Sequence, residues 1–338
     1  MVFMNFISKS IQVYKRNGIK SFLRLPLDIY DINVKPNVPF TPPGYMQIEP
    51  TVVCNLRCTM CDTTTWNRKP YFMKFDEFKK VIDTSGQLKL IQLQGMGESL
   101  LNKDIYGMIK YAKKKNITVH LTTNGTLLTE RNIVRLIDAE IDRVDVSLDS
   151  PIKENYENIR INANFENVVA NVKLAANSKL KKFRIAMTLQ QCNINDLRAM
   201  IEFLAPIGVK YLLVQIVQDW GKEEWSDKLK DQLIEESIQE KKILEMKKYA
   251  ESKRIELLHD FGKPKPCDWP WNGAYVTADG FVTPCCIRGF DPRKLNFGSA
   301  FEDGFDKVWK SDKYQNFRKA FKNKQLRFCE ACRYYNYE

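Results

Sequence analysis

The sequence predicts an α/β protein: a largely parallel sheet wrapped by helices, followed by a small C-terminal unit of different character. Three observations lead there. Strand-like and helix-like segments alternate through residues 45–216. A composition of 44% hydrophobic and 28% charged residues can bury a real core, which excludes a disordered chain, a collagen-like repeat and a disulfide-stapled miniprotein. After residue 258 the chain turns Pro-, Trp- and Cys-rich, as a separate unit would.

The elements follow in order. Residues 1–24 carry Lys9, Lys15, Arg16, Lys20 and Arg24 without an acid. Phe3, Ile7, Ile11 and Tyr14 fall at helical spacing, so a basic amphipathic helix is expected, packed on the main domain or resting on a partner or a membrane surface. Pro36, Pro39, Pro42 and Pro43 make an irregular linker. Strands are predicted at 45–49, 88–93, 118–122, 143–148, 183–188 and 210–216. Helices are predicted at 75–85, 103–115, 129–139, 165–179 and 195–205, with Thr129 and Asn164 as N-caps. Right-handed crossovers would give an open doubly wound sheet or an incomplete barrel, with binding loops at the C-terminal strand ends. A charged helix at 225–253 then leads to a hairpin at 274–284 that turns at Asp279-Gly280. The expected units are 1–44 (helix and linker), 45–257 (main domain with connecting helix) and 258–338 (small domain).

Lys and Arg number 53 against 41 Asp and Glu, a balance of +12 that suits anionic partners. No apolar stretch approaches the ~20 residues of a spanning helix, and the N-terminus lacks a signal-peptide core, so a cytoplasmic protein is expected. Nine cysteines in a reducing compartment then point to metal or redox work rather than disulfides.

Cys54, Cys58 and Cys61 sit in a loop leaving the first strand. Soft thiolates at this spacing suit an iron–sulfur cluster or zinc, and the same spacing describes one face of a helix. Three ligands on a four-iron cube would leave one iron open for chemistry. Cys-x3-Cys-x2-Cys after the first strand of a β/α domain resembles the radical S-adenosylmethionine (radical SAM) enzymes, and further motifs follow in that family's order. Gly95-Met-Gly97-Glu98-Ser99 is similar to its Gly-Gly-Glu-Pro segment, with serine in place of the proline; Thr122-Thr123-Asn124-Gly125 comes after the third strand and Val146-Ser147-Leu148-Asp149-Ser150 in the fourth. The resemblance implies a partial (β/α)6 barrel of the radical SAM type. It also implies that a [4Fe–4S] cluster on Cys54, Cys58 and Cys61 binds SAM. Gly95, Gly97 and Glu98 would meet its methionine, Thr123, Asn124, Ser147 and Arg160 its ribose and carboxylate, and Met60 its adenine.

Cys267, Cys285, Cys329 and Cys332 fall in the last 72 residues and resemble the C-terminal cluster domain called SPASM, in its shortened "twitch" form. That resemblance implies a small α+β domain holding one auxiliary [4Fe–4S] cluster, with a spacing similar to that of the dehydrogenase acting on 2-deoxy-scyllo-inosamine. Cys286 is an alternative to Cys285, since neighbours on a hairpin point to opposite faces. A structural zinc ribbon is the competing reading of the same thiols. Cys192 and Cys286 are otherwise buried cysteines or hydrogen-atom donors, as in radical epimerases. His120 reads as a core residue and His259 as an acid–base candidate.

The activity implied is reductive cleavage of SAM and abstraction of a substrate hydrogen, with the auxiliary cluster accepting an electron. The expected substrate is an anionic or sugar-like small molecule, oxidised as an aminocyclitol would be, or else a peptide. A low-potential donor such as flavodoxin or ferredoxin would supply electrons. No N-terminal peptide-recognition domain is evident in the sequence. From a different class comes a basic zinc-ribbon protein binding nucleic acid through Lys110, Lys113, Lys114, Lys319 and Lys322.

Overall fold

The computed structural model describes residues 26–61, 68–86, 88–217, 231–259, 267–287, 291–330, 332 and 335. The basic helix expected within 1–24 lies outside them; of the helix expected at 225–253, the described part is Glu236–Ser252.

Nine strands form one sheet: β1 (Tyr45–Ile48), β2 (Leu90–Leu93), β3 (Thr118–Thr123), β4 (Arg143–Ser147), β5 (Phe183–Leu189), β6 (Tyr211–Ile216), β7 (Glu256–His259), β8 (Gly273–Val276) and β9 (Val282–Thr283). Their spatial order is β7-β6-β5-β4-β3-β2-β1-β8-β9, parallel throughout except for the β8–β9 pair. From β1 to β7 the order never reverses, so the crossovers all pass on one side; a doubly wound sheet would need a reversal. Among the described residues the edges, β7 and β9, do not pair, and the sheet is an open, incomplete barrel. The hairpin at β8–β9 forms, with Gly280 at φ +87° in its turn, and joins the main sheet through β1. β7 was not foreseen: four residues directly behind a long charged helix give no readable alternation.

The alternation along the strands is what builds a site. Met46, Ile91, Val119, Val144, Ile185 and Leu212 are fully buried on the outer face. They meet helices whose own apolar stripes, such as Phe78, Val81 and Ile82 of Phe75–Thr84, face the sheet. The opposite, concave face carries Gln47, Gln92, Thr122, Asp145, Arg184 and Gln215. Thr129 and Asn164 cap their helices as expected, accepting from the backbone N–H of Asn132 and Asn167. Helix Lys153–Ile159 is an addition to the sequence reading.

Beyond the sheet, an aromatic cluster around Trp271, Trp309 and Tyr314 holds the last helices. Arg318, fully buried, lies against the Trp309 and Tyr314 rings and donates Nε to the Pro270 carbonyl at 2.7 Å and Nη1 to that of Trp309 at 3.0 Å. The linker is pinned to this cluster by the indole N–H groups of Trp271, on Pro36 O, and Trp309, on Thr41 O.

Candidate active site

The chain leaves β1 through Glu49, whose fully buried carboxylate accepts from Met96 N (2.9 Å), Ala278 N (3.0 Å) and Arg68 Nη1 (2.9 Å). One side chain therefore ties the first strand to the Gly95–Gly97 loop and to the C-terminal hairpin. The strap that follows brings Cys54, Cys58 and Cys61 near one another: beyond burial, Cys61 raises the Cys54 thiol, and Cys61 and Cys54 raise that of Cys58. Burial, partly offset by Arg160 and ahead of the neighbouring thiols, pushes the Cys58 thiol up to about 12, and a bound metal would favour its ionisation. Two donors already point at sulfur: Leu56 N to Cys54 Sγ (3.4 Å) and Arg160 Nη1 to Cys58 Sγ (3.7 Å). Three soft thiols on one strap, two of them with donors aimed at sulfur, fit the ligand chemistry of an iron–sulfur cluster, while among the described residues no three such groups stand close enough to hold a single metal ion.

Arg160 is a buried cation beside the strap. Burial works against its charge, but Asp149, fully buried, accepts Nε at 2.7 Å and holds the guanidinium protonated. Asp149 also takes Thr188 N at 2.8 Å. Arg160, a candidate for a SAM carboxylate, thus spends Nε on Asp149 and Nη1 on Cys58 Sγ.

Gly95 and Gly97 answer to packing. A Cβ at Gly95 would stand 2.2 Å from Glu49 Cγ, and one at Gly97 would stand 2.2 Å from the Thr51 carbonyl oxygen. Glu98 is buried and accepts from Leu100 N (3.0 Å), Thr123 Oγ1 (2.6 Å) and Asn124 N (2.7 Å). Burial raises its carboxyl above the ordinary range against the pull of these donors. Asn124 reaches Asn55 Oδ1 at 2.9 Å and so links the end of β3 to the cysteine strap. Thr123 has the outward parity of β3; its neighbour Thr122 faces the concave side instead.

That side encloses a cavity of about 410 Å³. At the C-terminal strand ends it is lined by Met60, Ser147 and Thr188, and towards the strand starts by Tyr45, Arg143 and Cys286. Between them run Gln47, Gln92, Gln94 and Gln215, linked in part by hydrogen bonds: Arg143 Nη2 to Gln92 Oε1, Gln92 Nε2 to Thr122 Oγ1, and Thr122 Oγ1 to Gln94 Oε1. Met60 also lies 3.9 Å from Gln190 Nε2. His120 is not the apolar core residue expected: it is half-buried beside Arg143, Asp145 and Arg184, and burial, aided by the two arginines, lowers it to about 4. None of the arginine–glutamine wall was singled out from the sequence. The signal was there, as polar residues at every second position of strands flanked by apolar ones.

The second cysteine group gathers at the strand starts. Cys267 is pushed up to about 12 by burial first, then by Cys285 and Cys332. Cys286 also feels Cys285, Cys267 and Cys332, yet it lines the sheet cavity. Cys329 is buried and its carbonyl accepts Cys332 N at 2.8 Å. Cys192 is exposed rather than buried; it lines a separate cavity of about 550 Å³ shared with Cys58 and Asn155. His259 ends the edge strand β7, and residues lining the sheet cavity do not include it. Lys110, Lys114, Lys319 and Lys322 are exposed on two separate helices, and Lys113 pairs with Asp142. Among the described residues no helix is long and apolar enough to cross a membrane.

Residues 48–204 match the model of the Radical SAM superfamily, and residues 267–333 match that of SPASM, an iron–sulfur cluster-binding domain. A tungsten-containing aldehyde ferredoxin oxidoreductase cofactor-modifying protein of Pyrococcus furiosus is 27% identical over 319 residues, covering 85% of this chain and 86% of that one. An AdoMet-dependent heme synthase of Methanosarcina barkeri is 26% identical over 318 residues, covering 86% and 89%. The fold is similar to that of Streptococcus suis SuiB bound to its precursor peptide SuiA, with a TM-score of 0.72 at 14% identity, covering 89% of this chain and 72% of that one.

Proposed function

The chain is a radical SAM protein with a C-terminal SPASM iron–sulfur domain, and on that premise we propose that it oxidises a small, sugar-like polar molecule held inside the sheet. One observation carries this reading: a single cavity, with a polar row of Gln, Thr, Arg and Asp side chains in its lining, has Met60, next to the first cysteine group, at one end and Cys286, next to the second, at the other. When bound, the SAM-linked cluster supplies a hydrogen-abstracting radical and the auxiliary cluster an electron acceptor, together a two-electron oxidation.

The protein's part is binding, orientation and exclusion of water. Cys54, Cys58 and Cys61 would hold the first cluster, with Arg160 fixed by Asp149 beside Cys58. Cys267, Cys285, Cys329 and Cys332 would hold the second. Met60, Ser147 and Thr188 line the cavity where SAM and substrate would meet. Glutamine amides and the Thr122 hydroxyl, fixed among themselves, offer preset partners to substrate hydroxyls. The Pyrococcus and Methanosarcina relatives are named for work on a cofactor and on heme, which supports a small-molecule substrate. A peptide is the second reading, supported by the likeness to SuiB with its precursor peptide.

The test is anaerobic reconstitution with SAM and dithionite, followed by screening sugar and peptide pools for stimulated 5′-deoxyadenosine. A sugar-pool compound that loses two hydrogens is expected. Saturable peptide binding, with stimulation by peptides alone, would establish the second reading instead.

A further inference from the structure

The floor of the sheet cavity has a charge composition that structure alone does not require. Arg143 and Arg184 both converge on Asp145. Arg184 binds it through Nε and Nη2, both at 2.7 Å, and Arg143 through Nε at 3.1 Å. The three side chains are 11%, 19% and 6% exposed, in the order Arg184, Arg143, Asp145. One arginine would satisfy one buried carboxylate. The second leaves a surplus positive charge facing the cavity, a cation that an anionic ligand would complete. Asp145 is the one acid among the residues lining this cavity.

We infer that the substrate carries an anionic group, a phosphate or a carboxylate, that docks on Arg143 and Arg184. This deepens the proposed function and rests on it. Each guanidinium commits Nε and Nη2, and the Nη1 of each has no partner among the described residues. Two forks held by a shared carboxylate, one of them also braced by Gln92, are preorganised for an oxyanion. His120 beside them is lowered to about 4, by burial first, so it stays neutral at pH 7 and the surplus remains one charge. Position matters as well. Arg143 opens β4 and Ser147 closes it, which is roughly 13 Å at about 3.3 Å per residue. The anion would therefore anchor the molecule at the floor while its far end lies under Met60, where a hydrogen is to be removed.

The test titrates reconstituted full-length protein calorimetrically with inorganic phosphate and, separately, with acetate. Saturable binding is expected, weakened tenfold or more in Arg143→Gln and in Arg184→Gln and largely kept in Arg184→Lys. Tighter phosphate assigns a phosphate-bearing substrate, and tighter acetate a carboxylate. Absence of binding, or equal binding by the Gln variants, overturns the inference. Should those variants lose their iron, phenylglyoxal labelling of wild-type protein decides. Phosphate or acetate must then slow modification of Arg143 and Arg184, and unchanged labelling with both overturns the inference. Cleavage of SAM by the wild type, alone and with the sugar pool, is measured alongside. Its absence under both conditions sinks the proposed function, whereas intact cleavage without anion binding sinks only the anion site.

Discussion

Replacing Asp149 by Asn removes one charge and almost no volume, and it should be among the most damaging conservative changes in the chain. Asp149 is fully buried and its partner Arg160 has a side chain only 10% exposed. The amide that replaces the carboxylate could still accept Thr188 N, but the guanidinium would be left uncompensated in a low-dielectric setting. Breaking a buried pair this way costs about 3–5 kcal/mol, because the stranded ion cannot regain its water. Removing both charges, in Asp149→Asn with Arg160→Met, should cost less than the single change, since no ion remains to strand. A double-mutant cycle by urea unfolding of reconstituted protein should therefore return a coupling of about 2 kcal/mol or more. Iron content, measured alongside, should fall in Asp149→Asn, because Arg160 also donates to Cys58 Sγ. A loss below about 1 kcal/mol with additive single changes would refute the pair's role.

Gly97→Ala would drive a methyl to 2.2 Å from the Thr51 carbonyl, so a loss of about 1–3 kcal/mol or more and weaker SAM binding by equilibrium dialysis are expected. Cys285→Ala should lose about four iron per chain and Cys286→Ala should keep them, as iron analysis will show. His120 sits below its ordinary value of 6.5 when folded, so the unfolded chain takes up its proton first. Stability should accordingly fall as pH drops from about 6.5 to 4, by about 1–2 kcal/mol once cavity water is allowed for, and His120→Asn should flatten that slope in urea midpoints.

Much of this was legible before any coordinates. The β/α alternation and the hairpin at Asp279-Gly280 read directly because period-2 runs and turn residues are local signals. The cysteine groups read because thiol spacing is short-range. The Glu49 hub was not legible, since its three partners lie 19 to 229 positions away. The same holds for Asp149–Arg160–Cys58. Thr122, which lines the cavity, was not singled out beside Thr123, because neighbours along a strand face opposite sides and the sequence alone does not say which side holds the cavity. Cys192 looked like a small buried hydrophobe, and its polar neighbours Gln191 and Asn193 were a better guide to its exposure.

The most direct measurement is the spectrum of anaerobically reconstituted, dithionite-reduced protein before and after SAM is added. Wild type should hold about eight iron and change its paramagnetic signal on SAM addition. The Cys54→Ala, Cys58→Ala, Cys61→Ala variant should keep about four iron, show no response and make no 5′-deoxyadenosine. A wild-type signal indifferent to SAM, or a variant that still cleaves it, would contradict the assignment of those three thiols.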